Sequence, residues 1–253
     1  EDDIACLYGP GNNIHRTPYG GRNFEYYSED GFLSGMMSAY EVKAIQDKGV
    51  HVVMKHFALN DCEQDRIGLG VWLNEQAARE VYLKAFQAPV EVGNANGVMI
   101  AYTRWGAVWS GGNYGLVTGI LRNEWGFQGL ISEDFIQNAN YVVLKEAVLN
   151  GVTMSCNTGD NTMAAVSEKY PYWTVEAVSQ DTTMMTALKQ AMKYQNYALA
   201  NSNAMDGMAS STRLVSVRTW HDNALVAVQV VFAALTVLAA AMYVLNDRKA
   251  KKQ

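Results

Sequence analysis

Short apolar runs punctuated by glycine alternate with longer stretches of helical period along most of the chain. Ile4-Ala5-Cys6-Leu7-Tyr8, closed by Gly9-Pro10-Gly11, predicts a strand and then a loop. His51-Val52-Val53-Met54, Gly97-Val98-Met99-Ile100-Ala101, Leu130-Ile131 and Gly151-Val152-Thr153-Met154-Ser155 predict four more strands. Between them the period lengthens. Residues 33–48 predict a helix with Leu33, Met36, Met37, Tyr40 and Ala44 near one face, stopped by Gly49. Residues 74–92 predict a second helix, capped by Asn74 and bent or cut short by Pro89. Residues 114–125 follow behind Asn113 as cap, then helices over 136–150 and 181–201. Residues 157–161 read as a loop and 168–173 as an aromatic-rich connection. Strands alternating with helices predict an α/β fold with a parallel sheet and helical crossovers. Polar residues gather after strands rather than before them. That fits a barrel open at one end, or an open doubly wound sheet.

The end of the chain differs in kind. From Ala224 to Leu245 it is apolar apart from Gln229 and Thr236. A helix of about 22 residues suffices to cross a bilayer. Arg248, Lys249, Lys251 and Lys252 follow, which places the C-terminus on the cytoplasmic side and the folded part outside. The alternative is a buried or coiled-coil helix. The expected organisation is an α/β domain over 1–207, a connector over 208–222, a transmembrane helix over 223–246 and a basic tail over 247–253. Glu1-Asp2-Asp3 does not open a signal peptide, and a strand starting this soon leads us to expect further parts of the domain upstream.

Composition narrows the function. The 253 residues carry a net charge of -5, with no long basic block outside the tail, which argues against nucleic acid as a partner. Cys6, Cys62 and Cys156 are far apart and odd in number, and are expected to be free, buried thiols. No GxGxxG or GxxxxGK[ST] follows a strand, so no nucleotide cofactor is expected. Asp61, Glu63 and Asp65 resemble a cation loop only loosely, and no metal is expected.

The stretch Trp125-Gly126-Phe127-Gln128-Gly129-Leu130-Ile131-Ser132-Glu133-Asp134-Phe135 reads as helix end, turn, strand and then an acid. Asp134 emerges at the carboxyl end of a strand, where α/β barrels keep their chemistry. Its alternative role is to cap the following helix. Lys55-His56, also expected at a strand terminus, is suited to grip hydroxyls or a carboxylate; a surface lysine and a satisfied histidine are the other reading. The loop from Gly9 to Glu25 is long, glycine-rich, charged and aromatic, a composition typical of functional loops.

Several of these stretches, in this order, resemble family 3 glycoside hydrolases. They are Gly9-Pro10-Gly11-Asn12-Asn13-Ile14-His15-Arg16, Gly21-Arg22-Asn23-Phe24-Glu25-Tyr26-Tyr27-Ser28-Glu29-Asp30, Lys55-His56-Phe57-Ala58-Leu59-Asn60-Asp61, Trp125-Gly126-Phe127-Gln128-Gly129 and Ala200-Asn201-Ser202-Asn203-Ala204-Met205. The resemblance covers about residues 4–207 and is to the two-domain β-glucosidase type. It implies a (β/α) barrel, here incomplete, beside an α/β sandwich domain. It implies retaining hydrolysis of terminal β-linked glucosides, xylosides or related sugars. Asp134 matches the catalytic nucleophile. Arg22, Lys55, His56 and Tyr102 match positions that hold the terminal sugar, and Arg66 is a further candidate for that pocket. A carboxylate can attack an anomeric carbon to form a glycosyl-enzyme ester, with cations beside it to keep it ionised.

The chain departs from the family in three ways. Glu133 replaces the usual Ser or Thr, and Phe135 the usual Trp; Glu133 either points to the opposite face or raises the pKa of Asp134. Ala101-Tyr102-Thr103 replaces Ser-Tyr-Asn. The first barrel strands, a sugar-binding Asp on them, and the sandwich domain that supplies the general acid/base have no counterpart in these residues. Glu63 is the one acid considered for that second carboxyl. Phe135, Trp105 and Trp109 could stack on sugar rings, or the tryptophans could belong to the core. The expectation is a piece of a membrane-anchored β-glycosidase, feeble by itself. The alternatives are a non-catalytic carbohydrate-binding remnant or a single-span transporter or receptor subunit.

Overall fold

The computed structural model describes residues 4–135, 141–156, 173–205 and 218–250. The chain divides into two compact units, Glu1–Gly207 and Met208–Gln253. The strands of the first are β1 (Cys6–Leu7), β2 (His51–Phe57), β3 (Gly70–Val71), β4 (Gly97–Ile100), β5 (Arg104–Trp105), β6 (Val108–Trp109) and β7 (Leu130–Ser132). Four of them form one parallel sheet in the order β1-β2-β4-β7. Residue pairs Cys6 with His51, Val53 with Gly97 and Gly97 with Leu130 set the register. A parallel bridge from Ser132 to Met154 carries the same progression one step further. Strand order therefore follows chain order without reversal. A doubly wound sheet reverses at a switch point, so this is barrel-type winding. Only Met154 of the expected strand 151–155 pairs, and β1 is shorter than the run from Ile4 to Tyr8.

The central strands β2, β4 and β7 are buried on both faces, as their unbroken apolar runs require, whereas β1 at the edge is exposed. Val52, Met54, Phe57, Val98, Ile100 and Ile131 join the helix-side core. Val53, Met99 and Leu130 form a smaller cluster on the other face with Ala198. Each fully buried side chain of this size contributes roughly 1.5–3 kcal/mol.

Helix α1 (Gly31–Gln46) starts at Asp30, whose carboxylate accepts from Leu33 N–H. Its buried face is Gly31, Ser34, Gly35, Ser38, Ala39 and Val42, and Leu33, Met37 and Tyr40 are exposed. Small residues win because they let two helices approach closely. A Cβ on Gly35 would stand 2.8 Å from the Lys84 carbonyl. The second predicted helix is three pieces: α2 (Glu75–Ala77), a π-helical turn (Ala78–Tyr82) and α3 (Lys84–Glu91). Pro89 sits inside α3 without ending it. Proline leaves the carbonyl four residues back without its N–H. That carbonyl, on Ala85, accepts instead from Asn12 Nδ2 at 3.3 Å. The segment Gly115–Glu124 is wound as a π-helix behind the Asn113 cap.

Of the predicted helix 136–150, the described residues 141–150 are helical only in α4 (Leu144–Leu149); residues 136–140 lie outside the described residues, as do 157–161, 168–172 and most of the 208–222 connector. A long helix covers Thr182–Ala200 with Asp181 as its cap. The small sheet β3-β5-β6, unforeseen in the sequence, ties the loop after β2 to the loop after β4. In the second unit one helix runs over Trp220–Ala250, starting inside the expected connector. Its Trp220–Tyr243 portion, which contains an 18-residue stretch of mean hydropathy 2.4, is long and apolar enough to cross a membrane. The three thiols are free, but Cys6 is exposed and Cys62 and Cys156 half-buried, not sequestered in the core.

Candidate active site

Lys55 and His56 lie inside β2 rather than at its end. Successive strand residues normally face opposite sides. A register irregularity between Met54 and Phe57 breaks that alternation, and both side chains reach the same cleft. The distorted backbone is satisfied locally. Asn13 donates through Nδ2 to the His56 carbonyl at 3.0 Å and accepts the His56 N–H at 2.8 Å. Thr103 Oγ1 donates to the Ala58 carbonyl at 2.7 Å, a supporting role for one of the altered Tyr102 neighbours.

The cleft has a volume of about 590 Å³ and lies at the carboxyl ends of β2 and β7. Arg22, Lys55, His56, Arg66 and Asp134 all line it, with Phe135, Met99, Cys156 and Tyr8. Five of the six predicted site residues therefore converge. The sixth, Tyr102, is buried beneath them; its hydroxyl donates to the Phe135 carbonyl, and the Arg66 guanidinium lies 4.7 Å above its ring. Trp109 is a core residue whose Nε1 donates to the Ala101 carbonyl, and Trp105 packs against the core; neither lines the cleft. Phe135 is half exposed at the rim.

Asp134 accepts from Phe135 N–H with Oδ1 at 2.8 Å, and among the described residues its buried Oδ2 has no hydrogen-bond donor. That oxygen stands 3.7 Å from His56 Nε2 and 3.7 Å from Arg66 Nη1. Burial pushes the Asp134 pKa up, while the Phe135 N–H, Arg66, Arg22 and Lys55 pull it back. Glu133 does not figure among those influences and does not line the cleft. It is buried, with Oε1 unpartnered, and burial lifts its own carboxyl to about 7. His56 is held well below its ordinary value, first by burial and then by Arg22, Lys55 and Arg66, so it is neutral.

Two acids organise the cations: Glu25, which has no role assigned from the sequence, and Glu63, which is considered there only for a cation loop or as the second carboxyl. Glu25 binds Arg22 at 2.5 Å and Lys55 at 3.0 Å. Burial pushes its pKa up, but the bonds from Lys55 and Arg22 outweigh that and hold it low. Glu63 meets Arg22 at 3.4 Å and Arg66 at 3.2 Å, and accepts from Asn60 Nδ2 at 2.9 Å. The signal for Glu25 was its place three residues after Arg22 in a glycine-rich loop. Among the described residues no group of three or more His, Cys, Asp or Glu could hold a metal ion.

A parallel sheet wound in chain order, with a carboxylate and three cations at the strands' carboxyl ends, defines an α/β-barrel-type domain with a polar cleft. The glycosyl hydrolase family 3 N terminal domain matches residues 1–195, and the chain belongs to that family. A beta-glucosidase of Ruminococcus albus is 39% identical over 179 residues, covering 65% of this chain and 19% of that protein. An exo-alpha-(1->6)-L-arabinopyranosidase of Bifidobacterium longum is 41% identical over 135 residues, 53% of this chain and 18% of that protein. The solved beta-glucosidase from Paenibacillus barengoltzii superposes with a TM-score of 0.74 at 31% identity, covering 84% of this chain and 24% of that one. Beta-glucosidase 3B from Thermotoga neapolitana in complex with alpha-D-glucose gives 0.70 at 31% identity, covering 79% and 28%. The chain spans about a fifth of the length of the curated relatives it matches.

Proposed function

We propose that this chain is the barrel part of a retaining β-glycosidase acting on terminal, non-reducing β-linked sugars such as glucosides or xylosides. The observation that carries the reading is the Oδ2 of Asp134, without a hydrogen-bond donor among the described residues, within a cleft walled by Arg22, Lys55, Arg66 and neutral His56. In the first step that oxygen attacks the anomeric carbon as the aglycone leaves, forming a glycosyl ester. Arg22, Lys55 and His56 hold the sugar hydroxyls, with bonds that tighten as oxocarbenium charge develops. Water then hydrolyses the ester.

Retention needs a second carboxyl at roughly 5 Å from the first, free to hold and return a proton. Glu25 and Glu63 are both engaged by the cleft's cations. The general acid/base therefore comes from a sandwich domain of the whole protein, outside this chain. In the intact parent, a 2-fluoro glycoside with a good leaving group should label Asp134. Asp134→Asn should lower kcat by at least about a thousandfold. A label on Glu133 or elsewhere, or turnover that survives the substitution, sinks the assignment.

Among the described residues no second free carboxyl lines the cleft, which favours a second reading for this piece alone, namely that it binds a glycoside without turning it over. Calorimetry with an iminosugar should give binding to the 253-residue chain and no product from an aryl β-glucoside.

The helix Trp220–Ala250 anchors the protein, with the barrel outside the cytoplasmic membrane and the basic end within. A chain ending at Asn203 should stay in the supernatant when membranes are pelleted. Recovery of that shorter chain in the pellet rejects this helix as the anchor.

A further inference from the structure

We propose that Glu63 is a positioning residue that keeps the Arg66 guanidinium off the nucleophile; this rests on the β-glycosidase reading for its meaning, but not for its test. The cleft's charges alternate in one chain of contacts. Lys55 meets Glu25 at 3.0 Å, Glu25 meets Arg22 at 2.5 Å, Arg22 meets Glu63 at 3.4 Å, Glu63 meets Arg66 at 3.2 Å, and Arg66 meets Asp134 at 3.7 Å. Glu63 is the middle link, and it has no duplicate. Arg22 keeps Glu25 if Glu63 is lost. Arg66 has two carboxylate partners among the described residues, Glu63 and Asp134. Without Glu63 its guanidinium is left with Asp134 as sole counter-charge. It then closes from 3.7 Å to a charge-assisted hydrogen bond with the Oδ2 that now has no donor. A carboxylate tied in that way is a poorer nucleophile, because the lone pair that attacks is the one occupied.

The fold invests in placing this side chain. Glu63 N–H donates to the Gly20 carbonyl at 3.0 Å, joining the loop after β2 to the loop that carries Arg22. Gly21 sits at φ +89°, and a Cβ there would lie 3.1 Å from Glu63 Cβ and 3.2 Å from its Cγ. The glycine thus allows both the left-handed turn and the close approach of the glutamate stem. Asn60, three residues before Glu63, supplies a further donor to the same Oε1. One oxygen therefore collects Arg22, Arg66 and Asn60, a geometry that fixes two guanidiniums relative to each other.

The test is the titration of Asp134, read by carboxyl ¹³C NMR on the 253-residue chain. In Glu63→Gln the side chain keeps its size and a neutral acceptor but loses its charge. The Asp134 midpoint should fall by about one pH unit, because an unopposed guanidinium favours the ionised carboxylate. Glu41→Gln, on the outside of α1, should leave it unchanged. In the intact parent the same variant should lower kcat/KM roughly tenfold or more through kcat, with the acid limb moving to lower pH. An unmoved midpoint in Glu63→Gln overturns the inference, even if the parent is an active glycosidase. A parent without glycosidase activity overturns the functional reading instead, and the titration still decides the role of Glu63. Glu63→Asp, one methylene short, should shift the midpoint in the same direction; a wild-type value there would also reject the placement argument.

Discussion

The Nη1 of Arg22 donates to Nε2 of His56 across 3.1 Å. A guanidinium can only donate, so Nε2 accepts and the ring proton resides on Nδ1. This makes the pair a fixed donor and acceptor set rather than two competing cations.

It follows that His56 stays neutral through the physiological range. Its folded-state pKa lies well below 6.5, by burial and then by Arg22, Lys55 and Arg66. The sign is then determined. Below about pH 6.5 the unfolded chain binds a proton that the folded chain refuses, so this histidine costs stability as pH falls. Imidazole ¹⁵N shifts should report the Nδ1–H tautomer down to pH 5; an imidazolium signal at pH 6 contradicts the arrangement.

Glu133 should act in the opposite direction. Its folded pKa is raised from 4.5 to about 7 by burial, so ionisation is penalised in the folded state above the unfolded value. The penalty grows from pH 4.5 upward and saturates above 7. Glu133→Gln should gain up to about 3 kcal/mol over wild type at pH 8, and the gain should vanish towards pH 4. Denaturant melts at the two pH values measure it, and a pH-independent difference rules it out.

Arg122 is the structural counterpart of the cleft cations. It is buried, donates to the carbonyls of Phe127 and Gly129 through Nη1 and to Gly151 through Nη2, and lies 3.6 Å from the Tyr194 ring centre. It joins the turn before β7 to the turn before Met154. Arg122→Leu leaves three carbonyls without their donors and should cost about 3–5 kcal/mol in a urea melt. A loss below about 1 kcal/mol would show that water replaces the guanidinium.

Gly129 should not tolerate even a methyl group. A Cβ there runs into the Asn96 carbonyl and lies 2.7 Å from the Phe127 ring. Because Asn96 O also accepts from Leu130 N–H at 2.8 Å, it cannot retreat without loosening the start of β7. Gly129→Ala should cost about 3 kcal/mol, whereas Gln128→Ala, on the exposed turn, should be within about 0.5 kcal/mol of wild type. Equal melting temperatures for the two variants would refute the close approach.

Much of the chemistry was legible because it is local. An apolar run followed by an acid predicts Asp134 at a strand's end, and Leu130–Ser132 is that strand. The same logic placed His51 to Met54 in a strand and set Asn74 and Asn113 as caps, since a cap is decided within a few residues. Misses arose where two distant stretches compete for one position. The large apolar residues of α1 suggested its inner face, but Gly31 and Gly35 let α3 approach on the other side. Pro89 does not end its helix early, because Asn12, far away in sequence, satisfies the carbonyl that proline abandons.

Alternation of strand and helix, the family motifs and the residue types of the cleft are properties of the chain itself, because periodicity and side-chain chemistry act over a few neighbours. Tertiary structure alone decided that the strands wind in chain order, that an irregularity in β2 turns both Lys55 and His56 into one cleft, and that Glu63 stands between Arg22 and Arg66. Those relationships join residues tens of positions apart, and they exist only once burial of the two sheet faces has closed the loops between them.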